Sequence, residues 1–343
     1  MSLLHRLAAP LCLAVVCGAT APAVAAGAEV PAAGPRTSRQ ADQGTGQADR
    51  APRSLRVVRG AGSSFVIAFD PAFDLVPEAE RTFEAAARQW ADVLVSPVPV
   101  TVDVRALPLP GTPVLGGAQA GSWHSVPGRP DDLLYPEALA NALTGRQQDD
   151  LLPDVQAWFN PAAAWYLGAD GHPGPGQSDF RSTVLHELGH GLGFAGLHVT
   201  GPMRCGAPDA GCQLGRTPFG DHLAVRLPDG AYRPLHTFPD GSPELARALT
   251  SDSLYWDGFW GRLAAGGQPV RMFAPPSFVE GSSASHTWMD LAPGAQALSA
   301  WWSADEPELM RPVLRPGRYA RTIGPVVRGV LRDIGWTLRD GAS

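Results

Sequence analysis

Residues 179–194, DFRSTVLHELGHGLGF, constrain this chain more than any other stretch. With Asp179 as its cap, the segment reads as a helix. At about 100° per residue, His186 and His190 fall about 40° apart on one face. Leu185, Leu188 and Leu192 fall on the far side, free to enter a core. Two imidazoles one turn apart can bind one zinc ion, and Glu187 beside them is placed to take a proton from a water at that ion. Gly189 and Gly191 each cost such a helix about 1 kcal/mol relative to Ala. Their presence predicts a close approach to the helix backbone.

A catalytic zinc takes three protein ligands and keeps one position open. A glutamate is poorly placed as the third, because the next one after Glu187 is Glu244. The compact spacing HExxHxxGxxH fits through Gly193 but has Gly196 where the third His belongs. His198 lies two residues late. The other candidates downstream are His222, His236 and His286, with Asp209 and Asp221 as carboxylate alternatives.

The chain has 343 residues, with 39 glycines and 34 prolines, which predicts a loop-rich fold and excludes a helical bundle. All 27 basic residues are arginine. Without a lysine, Schiff-base chemistry and a Walker-type phosphate loop are excluded. A net charge of −6 with scattered arginines argues against nucleic acid as a partner.

Arg6, the apolar run Leu7 to Cys17 and Ala23-Val24-Ala25 read together as an export signal over residues 1–26. The run is too short and too interrupted by proline for a membrane span, so the mature chain is expected outside the cell or in the periplasm, with no membrane insertion. Residues 27–53 hold almost nothing apolar and read as a disordered linker or short propeptide. Cys12 and Cys17 leave with the signal. Cys205 and Cys212 then remain in an oxidising compartment and are expected to pair.

Past residue 54, strands and helices interleave. Ser64–Asp70 reads as a strand. Phe83, Ala87, Trp90 and Leu94 mark one face of a helix over 78–94. Val98, Val100, Val102 and Val104 alternate as in a half-buried strand. Tyr135–Leu143 reads as a short helix and Val155–Asn160 as a strand. Pro228-Asp229-Gly230 signals a hairpin, and Pro325–Ile334 a helix stopped by Gly335.

Three further segments carry a family resemblance: GSSASHTWM at 281–289, ELMRP at 308–312 and RGVLRDIGW at 328–336. In this order after HELGHGLGF, they resemble the leishmanolysin-type metzincins and related secreted bacterial metallopeptidases. WYLGADG at 165–171 and LYWDG at 254–258 add to the likeness, which covers roughly residues 155–336. In that group an insertion separates the second zinc histidine from the third, and a methionine turn follows. The resemblance implies His186, His190 and His286 as zinc ligands, Glu187 as general base and Met310 as the methionine beneath the zinc. It implies a zincin-like α+β fold: a twisted mixed sheet with the zinc helix in a catalytic subdomain (54–198), then an insertion and an irregular C-terminal subdomain (199–343).

The function expected on this basis is zinc-dependent hydrolysis of peptide bonds in protein or peptide substrates. The alternatives are a secreted binding or adhesion module with a structural metal, and a zinc peptidase liganded by Asp209 or Asp221. Gly116–Ser125 is expected to form the edge strand that pairs with substrate. His124 and His172 read as surface histidines, and Tyr319 as a core residue. Trp301 and Trp302 suit a pocket wall or the core.

Overall fold

The computed structural model describes residues 54–195, 215–279, 281–288 and 308–339, together with the backbone of Val15–Cys17. The architecture is α+β. Strands β1 (Ser54–Arg59) and β2 (Ser64–Phe69) form an antiparallel hairpin. Helix α1 (Pro77–Val93) follows. Phe83, Ala87 and Trp90 on it, and Leu94 just after it, are fully buried, as their helical spacing requires.

The chain returns as β3 (Val100–Ala106), parallel to β2. Val100, Val102 and Val104 enter the core, but Asp103 between them is buried too, because β3 lies inside the sheet rather than at its rim. Strand β4 (Val114–Ala120) comes next, then helix α2 (Glu137–Thr144) and strand β5 (Val155–Phe159). Strand β5 runs parallel to β3 and antiparallel to β4. Tyr135 and Pro136 precede α2 as a two-residue strand instead of opening the helix, since Pro136 is held extended at φ −60°, ψ 146°.

Helix α3 (Phe180–Gly191) carries His186, Glu187 and His190. It packs against α1 and the sheet around an aromatic seam. Ring centroids of Phe69 and Phe83 lie 5.3 Å apart, Phe83 and Phe159 5.9 Å, and Phe159 and Phe180 5.2 Å.

The second half is built of shorter elements. Strands β6 (Leu223–Arg226) and β7 (Tyr232–Pro234) make the hairpin signalled by Pro228-Asp229-Gly230, with Gly230 at φ 88°. Helix α4 (Pro243–Leu249), strand β8 (Leu254–Trp256), helix α5 (Phe259–Ala264) and strand β9 (Val270–Arg271) follow. The four strands form one antiparallel sheet in the order β7-β6-β8-β9. Strand β10 (Val313–Leu314) and helix α6 (Pro325–Ile334) complete the fold. Gly335 ends α6 at φ 118°, a left-handed cap that a side chain would strain.

The large sheet has the order β10, Val15–Cys17, β4, β5, β3, β2, β1. Residues 15–17 thus fill a place one strand wide, antiparallel to β4 and parallel to β10. One contiguous apolar core runs from Val58 to Leu338 and takes in both halves. Among the described residues no helix is long and apolar enough to cross a membrane.

Candidate metal centre

The site begins with the fixing of α3. Asp179 caps it: the carboxylate accepts from the Ser182 amide at 2.8 Å and from the Ser182 hydroxyl at 2.5 Å. Arg321 grips the same carboxylate through Nε at 3.0 Å and Nη2 at 2.5 Å, tying the helix start to the C-terminal half. Two indoles hold the helix further along. Trp90 Nε1 donates to the Leu185 carbonyl at 3.1 Å, and Trp336 Nε1 to that of Leu192 at 2.8 Å.

The two helix glycines face close neighbours. A Cβ on Gly191 would lie 2.3 Å from Val155 Cγ1, and one on Gly189 would lie 2.9 Å from Met310 Sδ. Just beyond the helix, Gly193 turns the chain at φ 109°, hard against Pro136 and Ile334. The turn carries the Phe194 carbonyl back to His190.

The third histidine arrives from an irregular stretch. Ala284 at φ 64° bends the chain into the left-handed region, an uncommon place for a residue with a Cβ. Backbone pairing then secures the segment: Ala284 N donates to Phe273 O at 2.7 Å, Phe273 N to His286 O at 2.8 Å, and Thr287 N to Met310 O at 2.8 Å.

His186, His190 and His286 meet in the interior at 3%, 1% and 0% exposure. Each Nδ1 faces a backbone carbonyl: Leu309 at 2.8 Å, Phe194 at 2.6 Å and Ser282 at 2.9 Å. A carbonyl only accepts, so Nδ1 carries the proton and Nε2 the lone pair in all three rings. The three Nε2 atoms converge at separations of 2.9, 3.1 and 3.2 Å. Burial pushes the His186 imidazole down to about 4 and holds His190 and His286 well below the usual histidine range, so the rings are neutral. Three lone pairs aimed at one point, with no proton among them, repel one another unless a cation sits between them. The donor set therefore fits a metal ion, and it is the one such cluster found among the described residues.

Glu187 lies between the two helix ligands and is fully buried. Met310 is also fully buried, beneath Gly189. Asp221 is not brought to the cluster. Arg216 binds it at 2.6 Å, and the cluster of close donor atoms is made by the three histidines. His222 Nε2 donates to the Asp333 carbonyl at 3.1 Å, at the far end of α6, and His236 Nδ1 lies 3.7 Å from Asp221. His172 is 82% exposed, as expected. His198, Asp209, Cys205, Cys212, Trp301 and Trp302 lie outside the described residues.

Two readings of single residues change. Tyr319 is half-buried beside Gly171 rather than in the core. His124 is not a free surface histidine. Its Nε2 lies 2.5 Å from the buried Glu137 carboxylate, and Ser122 contacts both. The hydrogen bonds from His124 and Ser122 hold Glu137 below its ordinary value against the opposing effect of burial.

Two further carboxylates have roles that the sequence reading did not assign. Asp333 accepts from Trp256 Nε1 at 3.0 Å and from the Trp260 and Gly261 amides at 2.8 Å each, locking α5 to α6. Glu308, 4% exposed, contacts Thr287 next to His286, and burial raises its pKa. Only its place in ELMRP, two residues before Met310, offered a signal. Compared with protein-family models, with curated proteins and with solved structures, the chain matches none.

Proposed function

We propose that this chain is a secreted zinc-dependent endopeptidase of metzincin type. The observation that carries the reading is the convergence of the three Nε2 atoms beside Glu187. Tetrahedral zinc with Zn–N bonds of 2.0–2.1 Å separates its nitrogen ligands by about 3.3 Å, close to the spacing here. Neutral imidazoles with a protonated Nδ1 on a carbonyl are the form that binds zinc through Nε2.

His186, His190 and His286 would hold the ion, which supplies Lewis-acid polarisation of the scissile carbonyl and makes a water more acidic. Glu187 takes the proton of the attacking water and passes it to the departing amine nitrogen.

The substrate's place is supported by the gap between β4 and β10. Residues 15–17, within the segment read as an export signal, lie there as a strand. Removal of that segment leaves the β4 edge open to an extended peptide, whose backbone would make the ladder hydrogen bonds. Val313 and Leu314 of β10 share the lining of one small cavity with His186, so the gap adjoins the metal centre. Strand β4 ends at Ala120, so the pairing edge is 114–120 rather than the expected 116–125.

The test is Glu187→Gln in purified mature protein, assayed for bound zinc and for casein or gelatin cleavage. Zinc should stay stoichiometric while hydrolysis falls by at least about 10²-fold, the lower range for a general base. A parent protein that binds zinc but cleaves nothing would favour a binding module with a structural metal.

A further inference from the structure

Glu308 has an unusual position for a carboxylate. It is 4% exposed; Oε2 accepts from Thr287 Oγ1 at 2.6 Å and from the Met310 amide at 3.1 Å, the Leu309 amide also faces the carboxylate, and the Arg311 charge acts on it. Oε1 is buried without a hydrogen-bond partner among the described residues. Burying a carboxylate half-satisfied is costly, and an apolar residue of similar size would serve core packing better.

Its two partners explain what that cost secures. Thr287 directly follows His286, and its own amide donates to the Met310 carbonyl at 2.8 Å. Met310 directly follows Leu309, whose carbonyl receives His186 Nδ1 at 2.8 Å. One side chain therefore fastens the segment that delivers His286 to the segment that orients His186. No regular helix or sheet does this job. Met272 and Thr287 form only an isolated bridge, and 308–312 is irregular with a turn at 309–310.

We propose that Glu308 is a positioning residue of the metal centre, setting the mutual placement of His286 and His186 through Thr287 and Met310. This role rests on the metal-centre reading above. It goes beyond that reading in assigning ligand geometry to a group that touches no ligand. Outer groups that orient metal ligands typically contribute 10–100-fold in affinity.

The experiment measures zinc affinity by chelator competition, with the melting temperature of the metal-free protein, on the purified chain. The variants are Glu308→Ala, Glu308→Gln, Thr287→Val and the pair Glu308→Ala with Thr287→Val. Val330→Ala, a fully buried site on α6 away from these contacts, serves as a control for general destabilisation. Glu308→Ala should weaken zinc binding about 10–100-fold. Glu308→Gln keeps an acceptor oxygen for both donors and should stay within a few-fold of the parent. Thr287→Val should weaken binding in the same direction, and the double variant should lose less than the product of the single effects, since both cut one link. Should Glu308→Ala fail to fold, Thr287→Val and Glu308→Gln decide the matter. A zinc affinity in Glu308→Ala or Thr287→Val no lower than in Val330→Ala overturns the proposal. A parent chain that takes up no zinc removes the metal centre, and this role with it.

Discussion

The candidate metal centre draws on two regions built by opposite means. Helix α3 places His186 and His190 through the backbone period alone, and large apolar contacts hold it: Leu185, Leu188 and Leu192 are all fully buried. The segments 282–288 and 308–310 place His286 and the floor of the site with almost no regular structure, through a few named hydrogen bonds. The difference lies in where the information sits. In α3 it is spread over a repeating pattern, so single substitutions act through volume. In the irregular half it is concentrated in a few polar atoms, so single substitutions act by removing a link.

The largest effect separates the histidines themselves. His286→Ala should lose metal as completely as His190→Ala, although one ligand comes from a turn and the other from a helix. Apparent zinc-site free energies of about 10–16 kcal/mol imply that one ligand in three carries several kcal/mol, a weakening of at least about 10²-fold. His198→Ala should keep its metal. Zinc content after gel filtration reads this directly. Loss of metal in His198→Ala with retention in His286→Ala would break the comparison at its root.

Next in size is the pair that joins the two regions. Arg321 and Asp179 are 10% and 0% exposed in their side chains. Removing one partner of such a buried pair costs about 3–5 kcal/mol, because it strands the other charge. Arg321→Met should lower stability to that degree in urea unfolding. Asp179 also caps α3, but Asn caps as well as Asp, so the double variant Arg321→Met with Asp179→Asn should recover part of the loss while the cap is kept.

The sheet region has an acid-sensitive device of its own. Asp154 is fully buried, accepting from Gln147 Nε2 at 2.7 Å, from Asn141 Nδ2 at 3.0 Å and from the Thr101 amide at 3.0 Å. Burial outweighs these bonds and lifts its pKa from 3.8 to about 6, with the Glu137 charge adding to the rise. Between those values the folded state binds the proton more tightly than the unfolded state. Its contribution to stability is therefore full below about 4 and is lost as pH rises through about 6. At about 1.4 kcal/mol per pH unit this amounts to roughly 3 kcal/mol. In metal-free protein the site histidines act in the opposite sense, since their lowered pKa values make stability fall on acidification. The quantity to measure is thus the difference between parent and Asp154→Asn across pH 4 to 7. A flat difference would show that Asp154 keeps an ordinary carboxylate pKa.

Much of the regular half was legible in sequence because its signals are local. The buried face of α1, the valines of β3, the Asp179 cap and the Gly335 stop all follow from spacing within one element. His286 was not legible that way. Sequence chemistry left it among several candidates, and only the order of GSSASH and ELMRP in a family resemblance singled it out. Glu308 and the His124–Glu137 contact were missed because a buried carboxylate has no periodicity; its partners are set by tertiary approach. Residues 15–17 were read for their hydropathy, which does not reveal a place in a sheet beside Gly116 and Val313.

The smallest effect belongs to the helix glycines, and it tests the claim that α3 responds to volume. Replacing Gly by Ala in a helix interior should gain about 1 kcal/mol from propensity. At Gly191 the new methyl group would lie 2.3 and 2.8 Å from the two γ-carbons of Val155, a β-branched residue in a central strand that has no room to turn aside. Overpacking of this kind costs about 1–3 kcal/mol, so Gly191→Ala should be destabilising by up to about 2 kcal/mol after the propensity gain. At Gly189 the neighbour is the Met310 thioether at 2.9 Å, the end of a flexible side chain that can shift. There the two effects should nearly cancel. Val155→Ala removes both obstructing methyl groups, so Gly191→Ala placed in that background should be less destabilising than in the parent, and Gly189→Ala should show no such dependence. Chemical unfolding of the three single and two double variants gives the coupling directly. If Gly191→Ala costs the same in both backgrounds, the close approach of β5 to α3 is not what the glycine serves.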